Sequence, residues 1–413
     1  MTVGGVLPLP PTLYKMSAGQ HPVQPAAQDT YRILREELMP HFLDLARCRN
    51  TPELLAHPVY ERIEPLTTSV LTAAESESFS QNEAPVREQY RIVAWNLERG
   101  IQYEGQLEAL KDHEYLAAGD LLLLTETDVG MARSGNRHIA RDLARELGMH
   151  YAFAPCYVNL SKGAGIEFDV ESENELGLHG NAILSRYPLH NVRSVRLKNG
   201  KDKMAGREKR LGQQTALVAE VALPGQTVTA VSVHLDAQSS QPHRRDQMLD
   251  VLDGLTDDHP VIIGGDWNTT TYNSSRAFHA IMGFWLRVFM GVDNVIDNHY
   301  LHPYNRFETA LFELIESRGF DFRACNRLGE HTTSYDVDDV KTNKNLREWV
   351  PAWCFTFIRW ALRNHDGKCP LKIDWFATRG LRTANPVILH EFREGREPPL
   401  SDHDVIGVDV VVN

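Results

Sequence analysis

The sequence predicts an α/β layered fold, and its 413 residues carry that prediction through three features. Short apolar runs with strand character recur along the chain, and amphipathic helical segments stand between them. Several of the runs, such as 121–124, are apolar on consecutive positions, as strands buried on both faces are. Half of them also carry an acid, an amide or a histidine at or next to their C-terminal end.

The elements follow in order. Residues 1–28 are rich in Pro, Gly and Gln without periodicity and read as an arm. From Asp29 to about Ala74 the pattern is helical. Tyr31, Leu34, Leu38, Phe42 and Leu45 recur at spacings of three and four, and Asp29 or Thr30 can cap the first turn. A second helical piece follows Thr51-Pro52-Glu53, with Thr51 as the cap and Pro at the first helical position. The polar stretch 75–88, rich in Ser and Glu, reads as a linker. Strands are then expected at 91–97, 120–126, 181–187, 214–223, 228–235, 260–267, 372–379 and 404–412. Helices are expected at 138–148 and 244–255, each running into a Gly. The acidic loop 161–176 and the loop 198–210 interrupt the plan. The second holds Lys198, Lys201, Lys203, Arg207, Lys209 and Arg210, and it reads either as a solvated hairpin or as a steering surface for a phosphorylated molecule. A larger interruption runs from about 276 to 365. The expected organisation is an N-terminal arm and helical extension over 1–88 and a main domain over 89–413, carrying that insertion.

A hydrophobic fraction of 42% and a charged fraction of 24% are ordinary for a soluble protein and sufficient for a large core. The net charge of −12 argues against a duplex nucleic-acid binder, whose affinity rests on a basic face. The five cysteines form no C-x-x-C pair, so neither a disulfide framework nor a thiolate zinc site is expected. The N-terminus lacks the charged and apolar regions of a signal peptide, and no apolar run is long enough for a transmembrane helix. A cytoplasmic location is the resulting expectation.

The polar residues at the strand ends carry the chemistry. Asn96 ends 91–96, Glu126 ends 120–126 and His234 lies at the end of 228–234. Asp266 and Asn268 end 260–268, Asp374 lies inside 372–376, and Asp402 and His403 precede the last strand. A charged group at the edge of an apolar strand is costly unless something pairs with it. Any one of them is commonly a turn acid, a helix cap or a satisfied core histidine. Together they are a set of hard oxygen donors suited to Mg²⁺ or Mn²⁺, with histidines able to move protons near neutral pH.

The motifs AWNLERG, LLLLTET, GNAILSRYPL, VSVHLDA followed by RRDQM, GGDWNT, KIDWF and SDHDVIGVDV occur in this order. They resemble those of the endonuclease/exonuclease/phosphatase superfamily over about Arg91 to Val412, leaving out the insertion. The resemblance implies a four-layer sandwich of two packed, mainly antiparallel mixed β-sheets flanked by helices. It further implies metal-dependent water attack on a phosphodiester or phosphomonoester. Asn96 and Glu126 would hold the metal, Glu126 as principal ligand, with Asp402 beside it. Asp266 would orient or deprotonate the water, and Asn268 would hold a phosphate oxygen. His234 would face the scissile phosphate, and His403, oriented by Asp374, would be the second catalytic histidine. Asn181 would also reach the phosphate. Glu98, Asp128 and Asp236 flank these motifs and read as solvated or structural.

Substrate choice stays open. The partner expected is a phosphorylated substrate; nucleic acid is compatible with the motifs but disfavoured by the charge. Phe278, Ile281, Met282, Trp285, Phe289 and Val292 form a helical stripe in the insertion. The plainer expectation is that this stripe packs on the main domain. The alternative is peripheral lipid contact through 276–365, a question that 349–360 also raises, since the HLDA and SDH motifs resemble those of neutral sphingomyelinases, which act on phospholipid head groups. Two rivals accompany the phosphoesterase reading: a Mg²⁺-dependent nuclease, and a non-catalytic relative that binds a phosphoryl ligand.

Overall fold

The computed structural model describes residues 27–412 apart from 82–84, 164, 257, 271–272, 274–276 and 337–351. The arm expected over 1–28 therefore lies almost wholly outside the described residues, as do Trp349 and the start of the apolar stretch 349–360.

Among the described residues there are fifteen strands: β1 (Glu75–Ser78), β2 (Gln89–Arg99), β3 (Leu121–Val129), β4 (His150–Asn159), β5 (Leu178–Ser185), β6 (Leu189–Arg196), β7 (Arg210–Gly212), β8 (Thr215–Leu223), β9 (Gln226–Ser232), β10 (Val261–Asp266), β11 (Thr333–Asp336), β12 (Lys368–Leu371), β13 (Asp374–Arg379), β14 (Arg382–Leu389) and β15 (Val405–Val411). One sheet runs β1-β4-β5-β3-β2-β15-β14, with β7 paired to β4; the other runs β13-β10-β9-β8-β6. Pairing is antiparallel except for β2 with β3 and β9 with β10. Both sheets are thus mixed and mainly antiparallel, and a short ribbon of β11 and β12 stands apart from them.

The consecutive apolar residues are explained by what lies on each face. Leu121 and Leu123 of β3 point between the sheets, where they meet Ala219, Ala230, Ile262 and Phe376. Leu122 and Leu124 point outward, into a cluster with Ile139, Leu143, Leu34, Leu38 and Val70. On the outer face of the smaller sheet, Val231, Ile263 and Trp375 pack against Met248, Val251, Leu311 and Phe312. Helix, sheet, sheet and helix make four layers. Each buried Leu or Ile contributes about 1.5–3 kcal/mol of hydrophobic stabilisation.

Several expectations are corrected. The first helix, described over Ala27–Ile33, already contains Asp29 and Thr30, so neither caps it. In the second piece, Asn50 is the cap; its side chain accepts from the Glu53 N–H at 2.9 Å. The supposed linker holds β1, whose Glu75 accepts from Tyr31 Oη at 2.6 Å and Tyr151 Oη at 3.0 Å and also pairs with His138. The helix expected over 244–255 starts earlier and spans Gln241–Asp253. The loop 198–210 is no solvated hairpin: Lys203 pairs with Asp236 at 3.0 Å, and Lys209 Nζ donates to the Cys48 and Met204 carbonyls.

The insertion divides. Its middle, around Thr309–Ser317, joins the outer helix layer through Leu311, Phe312 and Ile315. Glu308 and Arg244, both fully buried, form the pair that anchors it. Its flanks build a small cluster of Val295, Ile296, Tyr300 and Leu362, on which Met290, Tyr335 and Ile358 pack. The helix Ala277–Met290 does not bury its stripe. Phe278 is 68% exposed, Met282 52% and Phe289 83%, and Phe357 and Trp360 of the helix Ala352–Ala361 are exposed beside them.

Candidate active site

The sequence motifs converge because both sheets end at one edge of the sandwich. Asn96 and Glu126 come from β2 and β3 of the larger sheet, and His403 precedes β15 of the same sheet. Asp266 ends β10 and Asp374 begins β13 of the smaller sheet, where their backbones face each other. His234 follows β9, which pairs with β10. The backbone leaves regular strand geometry where these side chains project. The β2–β3 register shifts between Asn96 and Arg99, and the β3–β5 register shifts between Leu124 and Thr127. Glu98 (φ 46°), Arg99 (φ 68°), Glu126 (φ 53°), Asn268 (φ 49°) and Thr270 (φ 72°) all sit in the left-handed region. Such conformations cost side-chain-bearing residues about 1–3 kcal/mol and recur at functional sites. The GGD motif has its own reason. At Gly265 (φ 137°) a Cβ would stand 2.2 Å from the Val233 carbonyl oxygen, so only glycine lets the β9 extension pass and deliver Asp266.

The contacts cross between the sheets. His403 Nδ1–H donates to Asp374 at 2.9 Å and 3.1 Å to its two oxygens, fixing the ring's orientation and its tautomer. His403 Nε2 then faces Asp266 Oδ2 at 3.8 Å, and His234 Nε2 stands 3.4 Å from the same oxygen. Asn96 Nδ2 is 3.2 Å from Asp266 Oδ2 and 3.4 Å from Glu126 Oε1. Asn268 donates its backbone N–H to Asp266 Oδ1 at 2.8 Å and its side-chain amide to Oδ2 at 3.1 Å. The structure therefore brings together Asn96, Glu126, His234, Asp266, Asn268, Asp374 and His403. Asp402 stands at the rim, 64% exposed, 4.0 Å from His403 Nε2. Asn181 is buried on β5 and commits an amide N–H to the Thr215 carbonyl at 2.7 Å, so one N–H is already spent before any phosphate arrives.

Electrostatics sorts the acids. Burial pushes the Asp266 carboxyl up to about 6, with nearby Asp374 adding to the rise and the two histidines limiting it. Burial also works against a charged His403, but Asp374 and Asp266 outweigh it and hold the imidazole well above its ordinary value. Glu126 goes the other way. Burial would raise it, yet Arg99 and the surrounding histidines hold it far below the usual carboxylate range.

Glu126 is also where a divalent ion fits. Its neighbours Asn96 Nδ2, Arg99 Nε and His234 Nδ1 stand at 3.4, 3.8 and 3.9 Å, too long for good hydrogen bonds. An ionised carboxylate with no close donor, next to an amide and a second acid, is the donor set of a hard cation. Among the described residues, Asp266, Asp374 and His403 are also a group with ligand atoms within 4.8 Å of one another. A second such group, His331, His390 and Asp404, suits a cation less well, because Arg393 donates to both Asp404 oxygens at 2.8 and 2.9 Å.

Residues that the sequence did not single out support these. The Thr332 hydroxyl receives the backbone N–H groups of Ile373 and Asp374, and Ser401 Oγ donates to the Asn96 carbonyl at 2.6 Å. Trp95 Nε1 donates to the His403 carbonyl at 3.2 Å. Ser401 was within reach, as the first letter of the SDH motif. Thr332 was not, because it arrives from the insertion. Glu98, Asp128 and Asp236 are structural and not solvated. Glu98 accepts from the Asp402 N–H, Asp128 is gripped by Arg133 and His179, and Asp236 by Lys203 and the Gly200 N–H.

A sequence profile described as the Endonuclease/Exonuclease/phosphatase family matches residues 93–403. No curated protein matches the chain. Among solved structures, an endonuclease/exonuclease/phosphatase from Beutenbergia cavernae DSM 12333 aligns at 16% identity and TM-score 0.48, over 79% of this chain and 72% of its own. The human Nocturnin catalytic domain with bound sulfate anion aligns at 16% identity and TM-score 0.43, over 82% and 97%. D. rerio TDP2 complexed with a single-strand DNA product aligns at 12% identity and TM-score 0.43, over 79% and 100%.

Proposed function

The chain belongs to the endonuclease/exonuclease/phosphatase family, whose members are in general divalent-metal-dependent hydrolases of phosphoesters, and from that premise we propose a Mg²⁺- or Mn²⁺-dependent hydrolase of a small or lipid phosphoester. The observation that carries this reading is the Asp374–His403 pair facing Asp266, His234 and Glu126 across the two sheets.

Glu126 and Asn96 would hold the ion, with Asp402 beside it, and the bound ion would supply charge neutralisation to the phosphoryl oxygens. The remaining work falls to the chain. Asp266, raised to about 6, is ionised at neutral pH yet basic enough to orient a water and take its proton. Asn268 fixes that carboxylate, and its side-chain amide is committed to Asp266 and to the Leu235 carbonyl rather than to a phosphate. His403, kept protonated by Asp374, offers its Nε2–H to the phosphoryl or leaving oxygen. His234 faces the same phosphate from the other side of Asp266.

The test is a substrate panel of bis-p-nitrophenyl phosphate, nucleic acid, inositol phosphates, nucleotides and phospholipid, with Mg²⁺ and with Mn²⁺. Wild type is expected to turn over at least one phosphoester only with metal. Glu126→Ala and His403→Ala should each lose about 10²–10⁴-fold in kcat. Full rate in both variants would sink the assignment. Activity confined to nucleic acid would move it to a nuclease, and phosphate binding without any turnover would move it to a non-catalytic binder.

One observation favours a lipid substrate within this reading. Phe278, Met282, Leu286, Phe289, Phe357 and Trp360 form an exposed apolar surface, with Arg359 and Arg363 at its edge. This surface stands on the cluster that holds Tyr335 of β11, and β11 bridges to His403 through Thr333. Among the described residues no helix is long and apolar enough to cross a membrane, so contact would be peripheral. Co-sedimentation with anionic phospholipid vesicles, weakened about tenfold or more by Phe289→Glu, is the expected result. No co-sedimentation of the wild type ends the lipid reading.

A further inference from the structure

Arg99 is the penultimate residue of the AWNLERG motif, and beyond its effect on the Glu126 charge none of the roles above uses it. Its guanidinium stands beside Glu126, with Nε 3.8 Å from the carboxylate, and Nη1 donates to Glu167 at 2.5 Å. Among the described residues Nη2 has no hydrogen-bond partner, and the Nε distance to Glu126 is too long for a hydrogen bond. Most of its donors are therefore unspent. Arg133 shows what a structural arginine looks like in this neighbourhood. It is fully buried, paired with both oxygens of Asp128, and saturated by Glu167 and Glu208. Glu167 links the two arginines and so holds Arg99 from behind.

Exposure separates them further. The side chains of Arg99 and Glu126 are 22% and 20% exposed, whereas those of His234 and Asp266 are 9% and 3% exposed. The open side of the cleft is the Arg99–Glu126 side. Backbone conformation points the same way: Glu98 and Arg99 are consecutive left-handed residues, a costly arrangement that stability alone would hand to glycine. Charge supplies the reason to keep it. Glu126, Asp266, Asp374 and Asp402 surround the place a phosphate must enter, and a fixed cation there lowers the repulsion that a divalent ion leaves over.

We propose that Arg99 is a substrate contact that receives a non-bridging phosphate oxygen beside Glu126, its fork reaching across the gap left open between the two side chains. The proposal rests on the reading of the cleft as a phosphoesterase site and adds a residue that reads the anion directly. Glu167 is then the positioning residue, holding Nη1 so that Nε and Nη2 face the cleft.

The test is calorimetric titration of inorganic phosphate into Mn²⁺-loaded protein, with Mn²⁺ binding and thermal melting measured alongside. Arg99→Gly is expected to weaken phosphate binding about 10–100-fold. The same variant should bind Mn²⁺ at least as tightly, because a positive charge beside Glu126 is gone. It should melt no lower than wild type apart from the lost Glu167 pair, because glycine accepts a φ of 68° without strain. Arg99→Lys keeps the charge but loses the fork, and an intermediate affinity is expected. Phosphate affinity within about threefold of wild type in folded Arg99→Gly overturns the proposal. So does a wild type that binds Mn²⁺ but no phosphate. If wild type binds neither, the phosphoesterase reading fails with it. Glu126→Gln separates the two, since it should lose Mn²⁺ itself whatever Arg99 does.

Discussion

Asp266 and His403 share an unusual position: both prefer to hold a proton more strongly in the folded protein than in the unfolded chain. For Asp266 the folded value is about 6 against 3.8. Its contribution to stability is therefore fully present below pH 3.8 and is lost as pH rises through about 6. His403, raised above 6.5, contributes with the same sign and loses its part at still higher pH. Metal-free protein should thus melt lower at neutral pH than at pH 5, and Mg²⁺ or Mn²⁺ should restore it. In Asp266→Asn the part of that slope between about pH 4 and 6 should vanish, worth on the order of 1–3 kcal/mol. Thermal melts in chelator across pH decide this, and an unchanged slope in the variant refutes it. These residues were legible in the sequence because each is a polar group beside an apolar run. Arg99 was not, since a basic residue before a glycine reads as an ordinary turn until its unspent donors are seen.

At the scale of elements, legibility followed apolar continuity. β3, β10 and β15 were visible because both faces are buried. β4 was missed although it is ten residues long and buried throughout but for its first residue. Its Pro155 argues against a central strand, and the structure accommodates that proline at a register shift between Pro155 and Tyr157. β1 was missed because its residues are Glu and Ser, and one of them does the work. Glu75 is largely buried and ionised; burial would raise its pKa, but His138, Tyr31 and Tyr151 bring it below the usual value. It ties the first helix to β4 and to the His138 cap of the helix Ile139–Leu147. Glu75→Ala should cost about 2–4 kcal/mol, read by urea denaturation, because three buried partners lose one acceptor. A cost under about 0.5 kcal/mol would mean that β1 is only an edge ornament.

At the scale of the whole molecule, the family motifs supplied the sandwich, and the layers then explained which apolar residues faced which neighbour. The insertion defeated the sequence for a physical reason. Its apolar residues have helical spacing whether they meet a sheet, a small cluster of their own, or solvent, and all three occur. The distribution of the site over both sheets has one more consequence. His403 belongs to one layer and its orienting Asp374 to the other, as do Glu126 and His234. Reactivity therefore reports the sliding register of two rigid plates as well as the identity of the side chains on them. A slip of about 1 Å between layers costs such a site roughly 10²-fold. The greasy filling around Ile262 and Phe376 thereby acts as the gauge block that sets the spacing across the proposed site.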